Sequence, residues 1–280
     1  MPELPEAETI ARRLDRELSG RTLGEVHLNR PDVVHGNPTP LCELLPNRRV
    51  RRVRRRAKRI VFELSRDQGL VFHLGMSGRL TITEVDEPIE DHTHLRIRIK
   101  GVGRELRFRD PRRFGGVWVL PGTDHPAGRK LGPVGPEPLE LSAGRFCGLL
   151  QRSRRIKALL LDQRIIAGLG NIYCDEALHT AGVHPMARAD NLDDETARAL
   201  LRAVKATLRK AIRHGGSTLV DYRSADGQPG SFQKLHRVYG REGKPCSTCR
   251  TRIERIEVAG RSTFICPTCQ TRERITNEPG

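Results

Sequence analysis

Aromatic side chains are scarce: one Trp, three Tyr and seven Phe in 280 residues. A surface that grips single strands by stacking successive bases needs more rings than this. Long apolar runs are missing too. None approaches the roughly 20 residues of a membrane-spanning helix. No basic-then-apolar leader opens the chain, so the sequence reads as a soluble, cytoplasmic protein. There is no internal repeat and no long low-complexity tract. Acidic residues are in deficit: 34 Asp and Glu stand against 50 Lys and Arg, a net charge of +16. The pI is near 10.3. Such an excess favours a polyanionic partner, nucleic acid first and anionic membrane second. The length predicts two or three domains.

The order of patterns predicts an α+β, multidomain chain. From Pro5 to Leu18, Ala7, Ile10, Ala11, Leu14 and Leu18 form one helical stripe, ended by Gly20. Short alternating stretches follow. Ile60, Phe62 and Leu64 precede Leu70, Phe72 and Leu74, with Asp67-Gln68-Gly69 as the turn. Leu80-Ile82, Leu95-Ile97-Ile99, Leu106-Phe108 and Val117-Val119 continue the alternation. They predict an antiparallel β-sandwich with at least one basic outer face. Leu120–Pro138, rich in Gly and Pro, reads as a linker. Helices are then expected around Phe146–Leu150, Ile156–Leu161, Asn171–Ala181 and from near Asp193 to Ile212. Residues 217–230 are polar and Gly-containing and read as a mobile loop.

Of seven cysteines, Cys246, Cys249, Cys266 and Cys269 read C-x2-C, sixteen residues, C-x2-C. This is the spacing of a tetrahedral four-thiolate zinc site. Arg252–Val258 and Ser262–Cys266 alternate like the strands of a hairpin, with Ala259-Gly260-Arg261 at its tip. All four zinc positions are filled, so the ion is structural. A pair of redox dithiols is the competing reading of the motif. Cys42, Cys147 and Cys174 read as buried small hydrophobes.

Residues 48–59 carry nine basic side chains in twelve. Like charges side by side repel, and a polyanion would relieve them. Arg112-Arg113-Phe114, after Asp110-Pro111, places guanidinium groups and a ring at one turn, the make-up of a wedge for a duplex. His73-Leu74-Gly75-Met76-Ser77-Gly78 is a strand end running into a Gly-flanked loop. Gly168-Leu169-Gly170-Asn171 lacks a preceding strand, which excludes a dinucleotide fingerprint; it reads as a tight turn with N–H groups facing a phosphate.

Together these pieces resemble the formamidopyrimidine-DNA glycosylase family. The matches are MPELPEAET at the start, RRAKR, HLGMSG, DPRRFG, GPEPL, IKALLLDQ through GLGNIY, GGSTL, DGQPG, VYGREG and the four-cysteine hairpin, in order over nearly the whole chain. The resemblance implies an N-terminal helix on a β-sandwich (1–134), a helix–two-turn–helix domain (135–230) and a zinc-finger domain (231–280). It implies a monomer that removes oxidised purines from damaged double-stranded DNA and then cleaves the strand.

The resemblance also implies residue roles. Pro2, exposed by removal of Met1, is the nucleophile, and Glu3 the acid/base beside it. An α-amino group titrates near 7.7–8.0 against about 10.4 for lysine, so more of it is neutral at pH 7. Pro5 fits the first helical position, so the opening serves both readings. Lys58 is assigned to β-elimination, and Arg261 to phosphates and δ-elimination. Met76, Arg112 and Phe114 fill the hole left by an everted nucleotide; His73 and Arg113 accompany them at the DNA. His92, Lys157 and Asn171 touch the DNA backbone, and residues 217–229 close over the base. Ala7 and Arg59 depart from the family pattern, at a packing position and beside Lys58. Two other readings remain: the oxidised-pyrimidine branch of the same family, and a non-catalytic zinc-ribbon DNA-binding protein.

Overall fold

The computed structural model describes residues 2–36, 39–121, 133–218 and 229–271. They fall into two compact units. The first comprises Met1–Gly132 with Ile212–Gln233, and the second Pro133–Ala211 with Lys234–Gly280.

In the first unit, α1 spans Leu4–Leu18, with Glu3 as N-cap and proline in the first turn. Its apolar stripe is buried: Ile10 and Leu14 have no exposed surface. The strands are β1 (Leu23–Leu28), β2 (Val34–His35), β3 (Val50–Arg56), β4 (Arg59–Leu64), β5 (Gln68–His73), β6 (Arg79–Glu84), β7 (Thr93–Ile99), β8 (Arg104–Arg109) and β9 (Gly116–Pro121), with the short α2 (Thr39–Leu44) before β3. They form two sheets, β1-β7-β8-β6 and β2-β9-β5-β4-β3. Inward residues of both sheets and the α1 stripe share one core. Within it, Phe72 meets Phe62 and Phe108 with ring centroids 5.6 and 5.7 Å apart.

Three local expectations shift. The β4–β5 turn is Ser65–Asp67, not 67–69. Arg66 and Asp67 take positive φ, while Gln68 and Gly69 already pair with Leu64 and Glu63. Gly69 attracted the turn assignment, yet it lies in an extended strand beside Leu120, where a Cβ would make only ordinary contacts. The sandwich is also not wholly antiparallel, because β2 runs parallel to β9. Finally, β9 runs to Pro121, into the stretch expected as a linker, of which residues 122–132 lie outside the described residues.

In the second unit, α3 (Ala143–Leu150), α4 (Ile156–Leu161), α5 (Asn171–Ala181) and α6 (Asp194–Arg213) precede β10 (Glu254–Val258) and β11 (Arg261–Ile265). Gly182 ends α5 in the left-handed conformation, which glycine adopts without a Cβ penalty. The Asp193 carboxylate accepts from Thr196 N–H at 2.7 Å and starts α6. The hairpin tip is Ala259-Gly260 alone; Arg261 already pairs with Val258. Among the described residues, no helix is long and apolar enough to cross a membrane.

Candidate active site and nucleic-acid interface

The chain start is built into the first unit. Pro2 is buried, Glu3 is 2% exposed and Glu6 1%. Glu3 and Glu6 form a reciprocal capping box. Glu6 Oε2 accepts from Glu3 N–H at 2.8 Å, which fixes the Pro2–Glu3 peptide. Glu6 Oε1 accepts from Ser217 N–H at 2.7 Å. A Cβ on Gly216 would come within 2.6 Å of that carboxylate. Glu6 therefore ties the chain start to the segment entering residues 217–229, of which 219–228 lie outside the described residues.

Glu8 Oε2 meets Arg55 at 2.7 Å, joining α1 to the end of β3. Ala57-Lys58 is the two-residue turn that follows, with Ala57 at φ 55°. Lys58 is 9% exposed. Opposite, Arg59 pairs with His73. Burial first, then the positive charges of Arg59 and Lys58, push the His73 imidazole down to about 4. The neutral ring accepts from Gly75 N–H at 3.3 Å. His73 is thus half-buried and shapes the loop after it.

The loops carrying Met76 and Arg112–Phe114 are held as one piece. Asp110, with no exposed surface, accepts from Ser77 Oγ at 2.6 Å and from Gly115 N–H at 2.7 Å. Ser77 Oγ in turn accepts from Arg112 N–H at 3.3 Å. A Cβ on Gly75 would stand 2.4 Å from the Phe114 carbonyl carbon, so only glycine permits this contact. Met76 is 42% and Phe114 58% exposed. The Arg112 guanidinium lies 4.7 Å over the Phe114 ring. Arg113 is turned away from them, with its guanidinium 2.7 Å from Asp32. Exposed His92 takes positive φ, and its carbonyl accepts from Asp110 N–H at 3.1 Å.

In the basic stretch several side chains are bound from within the chain. Arg48 donates to Leu44 O and Gln68, and Arg49 to Gly20 O. Arg51, Arg54 and Arg55 meet Asp67, Glu63 and Glu8. Three of the nine positive charges thus meet a carboxylate, on Asp67, Glu63 and Glu8.

In the second unit, three expected DNA residues converge on Ser262. Asn171 Nδ2 donates to Ser262 O at 2.8 Å, Lys157 Nζ approaches the same oxygen at 3.4 Å, and exposed Arg261 precedes it. Lys157, however, has no exposed surface. Its ammonium donates to Asp175 Oδ1 at 2.6 Å and Thr263 Oγ1 at 2.7 Å. It lies beneath the surface, braced against the hairpin, and is not presented to a backbone phosphate. Burial raises the Asp175 carboxyl above the ordinary range, while Lys157 and Phe264 N–H pull it back. Gln163 orders the GLGN turn: it accepts from Gly168 N–H at 2.9 Å and donates to Leu169 O at 2.7 Å.

The four Sγ atoms of Cys246, Cys249, Cys266 and Cys269 lie within 4.8 Å of one another. Three of the pairs are at 3.2, 3.5 and 3.9 Å. Disulfide sulfurs would be about 2.05 Å apart. A tetrahedron with Zn–S near 2.3 Å has edges of about 3.8 Å, so the cluster fits zinc.

The residues that sequence reading passed over are partners rather than actors: Asp110, Gln163, Asp175 and Glu176. Their role shows only in the structure: every residue from Ile172 to His179 is buried, so the ionisable groups on that helix each need a partner.

A helix-capped sandwich, a helical DNA-binding type of turn and a thiolate hairpin define a composite nucleic-acid enzyme. Family models agree part by part. The formamidopyrimidine-DNA glycosylase N-terminal domain matches residues 1–117, the H2TH domain of the same enzyme 134–223, and the zinc finger found in FPG and IleRS 243–272. The formamidopyrimidine-DNA glycosylase of Herpetosiphon aurantiacus is 44% identical over 276 residues, 96% of this chain and all of that one. That of Thermus thermophilus is 45% identical over 277 residues, 96% and 98% of the two chains. The crystal structure of the Thermus protein superposes with a TM-score of 0.85 at 44% identity, covering 96% of this chain and 98% of that one. A Lactococcus lactis complex with an abasic site containing DNA gives 0.89 at 34%, covering 96% and 100%. The chain belongs to the formamidopyrimidine-DNA glycosylase family. Its four cysteines hold one structural zinc.

Proposed function

We propose that this chain is a bifunctional DNA glycosylase and AP lyase of base excision repair, acting on oxidised purines in duplex DNA through Pro2. It acts as a monomer in the cytoplasm, wherever damaged DNA lies. Its working parts are residues 1–134, 135–230 and 231–280. With Met1 removed, the Pro2 nitrogen attacks C1′ of an everted nucleotide, and the bond to the base breaks. The base leaves with the bonding pair and takes up a proton, and Glu3 donates the proton to the ring oxygen that opens the sugar, leaving an iminium ion on the Pro2 nitrogen. Lys58 assists loss of the C2′ proton, which expels the 3′ phosphate; Arg261 binds lesion phosphates and assists the second elimination. Met76, Arg112 and Phe114 fill the vacated stack. His92 and Asn171 engage the backbone, while His73, Arg113 and Lys157 support neighbouring groups. The segment after Ser217 covers the base.

One observation carries this reading: a chain start that is buried and held by a reciprocal glutamate pair. Chain ends are usually loose unless something ties them down. Borohydride trapping tests it, on duplexes carrying 8-oxoguanine, formamidopyrimidine or thymine glycol in parallel. The adduct should map to residue 2 and form fastest on the purine lesions. Protein that retains Met1 should bind DNA but neither release base nor cut. An adduct on Lys58, or full activity with Met1 in place, refutes the assignment; preference for thymine glycol moves the chain to the pyrimidine branch.

A further inference from the structure

The buried helix α5 meets the zinc-bearing segment at three places on one face. Asp175 Oδ2 accepts from Phe264 N–H at 3.0 Å. Glu176 accepts from the backbone N–H groups of Arg237, Val238 and Tyr239 at 2.9–3.0 Å. One turn further, His179 Nε2 lies 3.4 Å from Cys246 Sγ. The first two contacts bind backbone; the third reaches a metal ligand. His179 is 4% exposed and Cys246 has no exposed surface.

We propose that His179 is a positioning residue of the zinc site, its Nε2–H donating a hydrogen bond to the Cys246 thiolate and helping the site retain its metal. A zinc-bound thiolate has lost its proton. It can only accept, so the 3.4 Å contact requires the proton on Nε2. Nδ1 is then a bare acceptor, and it is a buried atom with no partner among the described residues. A bare acceptor there costs less than a stranded N–H. Four thiolates around one Zn2+ carry a net charge of −2. Each N–H directed at sulfur drains some of it, which matters most where water is excluded. Cys246 receives a second donor, Thr248 N–H at 3.4 Å, and Cys266 receives Cys269 N–H at 3.5 Å. The imidazole is the side-chain donor that comes from outside the finger, from the helix that begins with Asn171.

The test uses the full chain loaded with metal, and metal content is measured first. No zinc in wild type would sink the zinc assignment itself, separately from His179. Zinc release to an excess of a chromophoric chelator is then timed for wild type, His179→Phe and His179→Gln. Outer partners of metal ligands are typically worth about 10–100-fold in affinity, so His179→Phe should release zinc faster by that order. Glutamine carries an N–H the same number of bonds from the backbone and should restore most of the retention. The same proteins loaded with Co2+ give a second reading. Loss of the donor should move the thiolate-to-cobalt charge-transfer band of His179→Phe to lower energy, with His179→Gln near wild type. A ring that merely packs would loosen both variants equally and leave the band in place. That result, or unchanged release in His179→Phe, overturns the proposal. Should His179→Phe not load metal, His179→Leu is read against His179→Gln in the same two measurements.

Discussion

At the scale of single residues, Asp110 shows how much one buried carboxylate organises. It receives Ser77 and Gly115 from two loops, and its own N–H and C=O engage His92 and His94. Hydrogen bonds to a charged group contribute about 1.5–3 kcal/mol each. Asp110→Ala should therefore cost about 3 kcal/mol in urea unfolding. The folded remainder should behave like Arg112→Ala, losing the preference for 8-oxoguanine opposite cytosine over adenine. Cytosine's open edge offers two acceptors to a guanidinium, which has donors only. An Asp110→Ala protein that keeps full discrimination would show that the loops need no common anchor. His73 makes a pH statement. Its folded value is about 4, against about 6.5 unfolded. Between these values the unfolded chain binds the proton and the folded one does not. The stability this gives is complete above about pH 6.5 and drains as pH falls to 4, by up to about 1.4 kcal/mol per pH unit. Denaturation at pH 7 and pH 5 should show this loss, and His73→Gln should reduce it.

At the scale of elements, α4 and α5 are joined by the buried Lys157–Asp175 pair, and each member also holds the β10–β11 hairpin, through Thr263 and Phe264 N–H. Breaking such a pair from one side costs about 3–5 kcal/mol, because a charge is left without its partner. Lys157→Met should lower unfolding stability by that order. Its salt dependence of DNA binding should stay unchanged, since no phosphate contact is lost. Exposed Arg261 should do the reverse: Arg261→Ala keeps stability and lowers the log–log salt slope by about one. A lowered slope in Lys157→Met would return that ammonium to the DNA surface. What was legible in the sequence divides along the same line. Ile156–Leu161 and Asn171–Ala181 run where the sequence places them, the second between Gly170 and Gly182, because those signals are local. The zinc ligands were legible because thiolate spacing is itself the geometry of the site. The burial of Lys157 was not, since its partner lies 18 residues on and its second support on another element. The ion pairs within residues 48–59 were invisible for the same reason: Glu8 and Glu63 lie elsewhere in the chain.

At the scale of the whole molecule, the charge of +16 makes duplex binding a counterion-release process that weakens steeply with salt. Zinc bears on only part of the structure. Cys246 and Cys266 are core residues of a small cluster with Val238 and Ile253, too small to stand without metal. Chelation should therefore unfold the hairpin and weaken DNA binding. Near-ultraviolet signals from Trp118 and the Phe62–Phe72–Phe108 set should persist, because those rings belong to the first unit. Loss of both signals together on chelation would mean that the metal sustains the sandwich as well.

The glutamate that steadies the chain start has a genetic corollary. Glu6 is served by Ser217 N–H, and the first unit is assembled from two stretches separated by most of the second. A gene fragment ending at codon 132 would encode all nine strands of the sandwich and omit the donor beside its first helix. No single crossover can trade either unit intact, so the two are inherited as one block. Recombinants between relatives should keep activity when residues 1–18 and 212–233 come from the same parent, and lose it more often when they do not.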